Sequence, residues 1–183
     1  MHTLRTPNKP QQRGVSLIEA MSVVAILSII CGTALPSFTA LRQRADLTGV
    51  AAQLETDVQF ARSQATAIGH PVQLTLRESG GATCYMIHTG PAALCQCGGA
   101  EAAASCSGEA ELLRSVLLAA SGNVQVRSAS KSVTFDPLKG TVTPTATLRV
   151  EARDGRAIHQ VVNLLGRVRS CSPGGRLGGE AAC

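Results

Sequence analysis

The stretch VSLIEAMSVVAILSIICGTA, residues 15–34, holds a single charged side chain, Glu19, in 20 residues. An apolar run of that length matches the hydrocarbon thickness of a bilayer and predicts a membrane helix. Arg5, Lys9 and Arg13 precede it, with no acidic residue among the first thirteen positions. No comparable basic cluster follows at once, so the flanking charge puts the N-terminus in the cytoplasm and the rest of the chain outside. A secretory signal peptide would have a shorter apolar stretch with its small-residue cleavage site after it. Here the small residue, Gly14, stands before the run.

The heptapeptide RGVSLIE, residues 13–19, resembles the class III leader of type IV pilins and type II secretion pseudopilins. In that family a prepilin peptidase cuts after the glycine and methylates the new N-terminus. The resemblance implies cleavage after Gly14 and a mature chain beginning at Val15, where most members carry Phe. It also implies an assembly role for Glu19, whose carboxylate pairs with the N-terminal amine of a neighbouring subunit and sets axial register. A carboxylate near the end of a membrane helix is costly and is kept where it finds such a partner. The plainer alternative is a glutamate at headgroup level that needs none.

The helical pattern continues past the apolar run. Pro36 sits where pilins of this type also carry a helix-bending proline, and an interior proline kinks a long helix without ending it. Leu47, Leu54, Ala61 and Ile68 recur every seven residues, and Ala51, Val58 and Ala65 fill the neighbouring stripe. Arg42, Arg44, Asp46, Glu55, Asp57 and Arg62 take the other faces. This predicts one amphipathic helix packed on a globular domain. Gly69 followed by Pro71 is a stop signal.

Beyond Pro71 the period changes to two: Val72, Leu74 and Leu76 face one way, Gln73, Thr75 and Arg77 the other. Further strand-like runs occur at 84–88, 112–118, 124–126, 132–135, 147–152 and 158–163, between Gly, Pro, Ser and Asp turns. The fold class is therefore α+β, a long N-terminal helix on an antiparallel sheet. With aromatics at 2% and no Trp, the core must be built from Val, Leu, Ile and Ala. The expected parts are a leader over 1–14, a membrane and polymerisation helix over 15–35, its amphipathic continuation over 36–69, and an exported β-rich domain over 70–183.

Six of the seven cysteines lie in that domain: Cys84, Cys95, Cys97, Cys106, Cys171 and Cys183. An even set in an exported domain reads as disulfides, with more pairings open than sequence can choose among. A zinc site fits poorly, because Cys95 and Cys97 are separated by one residue where paired ligands need at least two. The seventh, Cys31, lies in the apolar helix and reads as a small buried hydrophobe. Between Gly90 and Glu111 the chain is rich in Ala, Gly, Ser and Cys without periodicity, as in a disulfide-pinned surface loop.

Nothing in the domain carries catalysis. His70, His88 and His159 are isolated from any nucleophile signature, and no phosphate-binding glycine loop or H-E-x-x-H occurs. No cofactor and no metal are expected, and the chain is read as a non-enzyme.

The segment from Val133 to Cys171 resembles the C-terminal region of the GspH/FimT family, in which a last strand leads into a G-R-x-R motif. Here the motif is Gly166-Arg167-Val168-Arg169. Alternation puts both guanidiniums on one face of an extended segment, and Arg is suited to forked phosphate contacts. Arg149, Arg153, Arg156 and Arg176 lie nearby in sequence against Glu151, Asp154 and Glu180. In the FimT branch the motif is implicated in binding DNA, and the resemblance carries that role onto Arg167 and Arg169 alone. Two exposed arginines on a strand also serve as an edge that discourages strand pairing. Base-stacking aromatics are scarce, with one Tyr and three Phe, so any contact with double-stranded DNA should be with the backbone.

The resemblance implies a minor pilin or pseudopilin assembled from the inner membrane, single-pass, with a periplasmic C-terminal domain. Its partners would be other subunits, the prepilin peptidase, the inner membrane and double-stranded DNA. The alternative is a purely structural GspH-like pseudopilin of the type II secretion machine.

Overall fold

The computed structural model describes residues 14–98, 104–175, 177 and 179–183, and within these leaves aside the side chains of 33–37. The leader, apart from Gly14, and Arg176 lie outside the described residues. The chain divides into two compact units, Met1–Leu41 and Arg42–Cys183.

One helix, α1 (Leu17–Ile68), runs for 52 residues and passes through Pro36. At its start the Glu19 N–H donates to Ser16 Oγ at 3.3 Å, one half of an S-x-x-E capping box. In the first unit Leu17, Ile18, Val23, Val24 and Ile26 are all exposed. At about 100° per residue these positions spread round the whole helix. A helix apolar on all sides is built to be buried in something else. Among the described residues no helix is long and apolar enough to cross a membrane. The span expected over 15–34 ends on Thr33 and Ala34, whose side chains are outside the described set.

In the second unit α1 buries one stripe, Leu47, Ala51, Leu54, Val58, Ala61 and Ala65. The alternating steps of four and three are those of a helix with a single core face. Ile68, which the seven-residue series placed in that stripe, is 41% exposed. The helix stops there, because Gly69 turns to φ +69° and its N–H closes on the Ala65 carbonyl at 3.0 Å.

Among the described residues eleven strands follow: β1 (Val72–Ser79), β2 (Ala82–Thr89), β3 (Cys95–Gln96), β4 (Ser105–Cys106), β5 (Leu112–Leu118), β6 (Val124–Ser128), β7 (Ser132–Phe135), β8 (Val142–Thr143), β9 (Ala146–Ala152), β10 (Ala157–Val162) and β11 (Val168–Cys171). They form a five-stranded sheet ordered β5-β2-β1-β7-β8, a four-stranded sheet ordered β11-β10-β9-β6, and the small β3-β4 pair. All pairings are antiparallel. The expected antiparallel domain is thus built as two main sheets that share one core with the helix stripe. Val72, Leu74, Tyr85, Ile87, Val133 and Phe135 come from the first sheet, and Leu148, Val150, Ile158 and Val162 from the second. Fully burying a side chain of Val, Leu, Ile or Phe size contributes about 1.5–3 kcal/mol, so a core poor in aromatics still holds.

Two disulfides, Cys84–Cys97 and Cys95–Cys106, fold the segment after β2 back over the outer face of the first sheet. There Cys84, Met86, Cys95 and Ala110 form a second buried cluster with Leu94 and Leu112. The described parts of the segment read as a disulfide-pinned loop, 90–98 and 104–111, are pinned by these two bridges and form a lid with its own small core. A third disulfide, Cys171–Cys183, ties the C-terminus to β11, and Leu177 joins the main core. Cys31 is free and lies exposed on the apolar stretch of α1.

His88 is fully enclosed. Its Nδ1 lies 3.1 Å from the Thr89 carbonyl and therefore carries the proton, which leaves Nε2 to accept from Thr75 Oγ1 at 2.9 Å. Burial pushes its pKa below the usual imidazole value. The unfolded chain then takes up a proton near pH 6.5 that the folded chain refuses, so stability is complete above that pH and is lost as pH falls through and below it. We expect urea unfolding to show a loss of at most about 1.4 kcal/mol per pH unit from this group. A His88→Gln variant should show a flatter pH dependence between pH 7.5 and 5; an unchanged one would assign the acid sensitivity elsewhere.

Candidate functional site

Two regions carry the residues singled out in the sequence. At the N-terminal end Gly14, Val15 and Ser16 precede the first helical turn. Val15 is 74% exposed, and Glu19 sits exposed in the first turn of α1. An acidic group there also complements the positive helix end. The Ser16 hydroxyl caps the helix start through the Glu19 backbone N–H, a signal that the S-x-x-E spacing offers and that the reading of the leader passed over.

The second region is the outer face of the four-stranded sheet. Asn163 builds the turn that leads into it: Asn163 Oδ1 accepts from the N–H groups of Leu165 at 3.0 Å and Arg167 at 2.9 Å, while the Asn163 carbonyl accepts from Gly166 N–H at 2.9 Å. Gly166 adopts φ +70°, and a Cβ there would lie 3.1 Å from both Arg62 Cδ and Val142 Cγ2. The glycine of the G-R-x-R motif is thus required twice, by its left-handed backbone and by the close approach of the helix.

The chain then enters β11, where Val168 turns toward the core while Arg167 and Arg169 are exposed on the outer side. The register sets Arg169 opposite Val161 on β10, and Arg149 on β9 opposite both His159 on β10 and Arg127 on β6. Residues directly opposite share a face. Arg127, Arg149, Arg167 and Arg169 therefore lie on one exposed side of the sheet.

Two further arginines of the expected basic patch, Arg153 and Arg156, are committed elsewhere, and Arg176 lies outside the described residues. Arg153 donates to the Gly122 carbonyl from Nε at 2.9 Å and to the Ala120 carbonyl from Nη2 at 2.6 Å. Arg156 Nε donates to Asp154 Oδ2 at 2.8 Å, and this guanidinium holds the Asp154 carboxyl below its ordinary value. Arg127, which the sequence reading did not include, joins the face through pairing that only the register reveals.

Among the described residues no His, Cys, Asp and Glu side chains gather into a metal-binding group. His70, His88 and His159 do not come together, and none stands beside an activated nucleophile; His159 Nδ1 lies 3.8 Å from Sγ of Cys183, which is held in a disulfide.

Comparison with curated protein sequences finds no match. Among solved structures, the type IV minor pilin FimU of Pseudomonas aeruginosa (strain PAO1) is similar, with 19% identity, a TM-score of 0.49, and coverage of 72% of this chain and 95% of that one. Residues 9–35 match the prokaryotic N-terminal methylation motif. Residues 50–166 match the model of the type II transport protein GspH, well over half of the chain. On that match, this protein belongs to the GspH family.

Proposed function

We propose that this chain is a minor pilin or pseudopilin subunit, freed by prepilin peptidase between Gly14 and Val15 and assembled from the inner membrane into a type IV pilus or type II secretion pseudopilus. The family is one of structural pilin and pseudopilin subunits and not of enzymes, and the methylation motif implies membrane anchoring. The finer assignment is a leader over 1–14, an anchoring and polymerising helix over 15–35 with its N-terminus cytoplasmic, an amphipathic continuation over 36–69, and a periplasmic domain over 70–183.

The observation that carries this reading is the first stretch of α1, apolar on every side and solvated in the isolated chain. Such a surface is stable only in lipid or against similar helices. Glu19, the single charge within it, then finds the Val15 amine of a neighbouring subunit. The test is a Glu19→Ala variant followed through sheared-filament and membrane fractions. The mature variant should accumulate in the membrane and be lost from filaments; incorporation equal to the wild type would contradict the role given to Glu19.

DNA capture is the second part of the reading, and it is favoured by two arginines that project from one rigid strand and have no ion-pair partner among the described residues. Arg167 and Arg169 are placed as backbone-phosphate contacts to double-stranded DNA, independent of sequence. The mature chain, residues 15–183 in neutral detergent, should bind a labelled duplex with strong salt dependence, and Arg167→Ala with Arg169→Ala should weaken it. Absence of binding at low salt would leave the purely structural pseudopilin.

A further inference from the structure

Strand register brings Arg127 and Arg149 directly opposite one another on β6 and β9. Like charges in that relation destabilise a sheet, and the partial relief from Glu151, 4.0 Å from Arg127 Nε, is weak because the Arg127 side chain is 64% exposed. Edge protection accounts for Arg127 on the edge strand β6 and for Arg167 and Arg169 at the other edge, and not for Arg149. Arg167 and Arg169 border the edge strand β11, but Arg149 lies on β9, an inner strand of the order β11-β10-β9-β6. Among the paired strand residues of that face Glu151 is the one carboxylate.

We infer that Arg127 and Arg149 extend the Arg167–Arg169 site into a track for a phosphodiester polyanion that crosses all four strands of the second sheet. At a strand spacing of about 4.8 Å, the three steps from β6 to β11 span about 14 Å. That length is the rise of about four base pairs along a duplex. His159 and Val161 on β10 lie between the two arginine pairs and carry no acidic side chain, and the Cys171–Cys183 disulfide flanks His159. A polyanion laid across this face neutralises the Arg127–Arg149 repulsion, which gives the pairing a purpose that folding alone does not. This inference rests on the DNA-capture reading, and deepens it by assigning two residues outside the G-R-x-R motif.

The experiment titrates a labelled duplex against salt with the mature chain, the double variant Arg127→Gln with Arg149→Gln, the double variant Arg167→Ala with Arg169→Ala, and a charge-matched control, Lys131→Gln with Lys139→Gln. The Arg127/Arg149 variant should bind more weakly on every sequence, and its slope of log K against log salt should be shallower by about 0.9 for each phosphate left unneutralised, about 1.8 in all. The control should retain the wild-type slope. The Tm of the Arg127/Arg149 variant should equal or exceed that of the wild type, since a like-charge opposition has been removed. An unchanged slope in that variant, with binding still abolished on removing Arg167 and Arg169, overturns the track and leaves the capture reading in place. A wild-type chain that fails to bind at low salt overturns both. An equal weakening in the lysine control shows net charge at work and overturns the track.

Discussion

Replacing Arg114 by alanine is expected to destabilise the unit Arg42–Cys183 by about 3 kcal/mol, the low end of the cost of leaving one member of a buried ion pair alone. Asp57 is fully buried on the core side of α1, where its Oδ2 accepts from the Tyr85 hydroxyl at 2.6 Å and its Oδ1 is paired with Arg114. The Arg114 guanidinium also lies 4.2 Å from the Phe60 ring centre. The Arg114 side chain is 38% exposed, and water reaching it keeps the penalty at the lower end. Tyr85 is held in its protonated form, its pKa raised by burial and by the hydrogen bond to Asp57. With Arg114 gone, Asp57 keeps one donor and an uncompensated charge. The variant Asp57→Asn with Arg114→Ala removes the uncompensated charge and recovers much of the loss, because the charged partners disappear together. Denaturant unfolding of the four proteins in a double-mutant cycle measures this coupling. Additive effects would mean that the pair contributes nothing as a pair.

Removing the Cys95–Cys106 disulfide, as Cys95→Ser with Cys106→Ser, is expected to cost about 3 kcal/mol and to uncover one face of the first sheet. The bridge closes a short loop, 11 residues in sequence separation, and holds the β3-β4 pair over Met86 and Cys84. Cys95 is itself fully buried, so a serine there also places a hydroxyl in an apolar cluster. The overlapping bridge Cys84–Cys97 remains, so the change should loosen the lid without unfolding the main core. Hydrogen exchange should rise in β2, Ala82–Thr89, while β9 and β10 stay protected. Equal deprotection throughout would show that the lid and the main core unfold as one.

The helix was legible because its information is local: Leu47, Ala51, Leu54, Val58, Ala61 and Ala65 announce their buried face by spacing alone. Ile68 shared that spacing and is exposed, since a periodic pattern does not say where its partner surface ends. The longer strands were legible by alternation, whereas β3, β4 and β8 have two residues each and present no period to read. Division into two sheets depends on which strands pair, a non-local matter. So does the lid, since Cys84–Cys97 and Cys95–Cys106 are one choice among many that spacing allows. Arg167 and Arg169 could be picked out from the motif, but Arg127 is 40 or more residues away in sequence and joins them only through β9 and β10. Conversely, Arg153 and Arg156 looked available and are occupied by neighbouring carbonyls and Asp154.

The central claim, that this is a processed filament subunit, meets its most direct test in the intact mass of the chain isolated from cells that express a prepilin peptidase. The account predicts a protein that begins at N-methylated Val15 and retains Glu19 and the whole apolar helix. A chain that still carries residues 1–14, or one cut after the apolar run near Ala34, would contradict it.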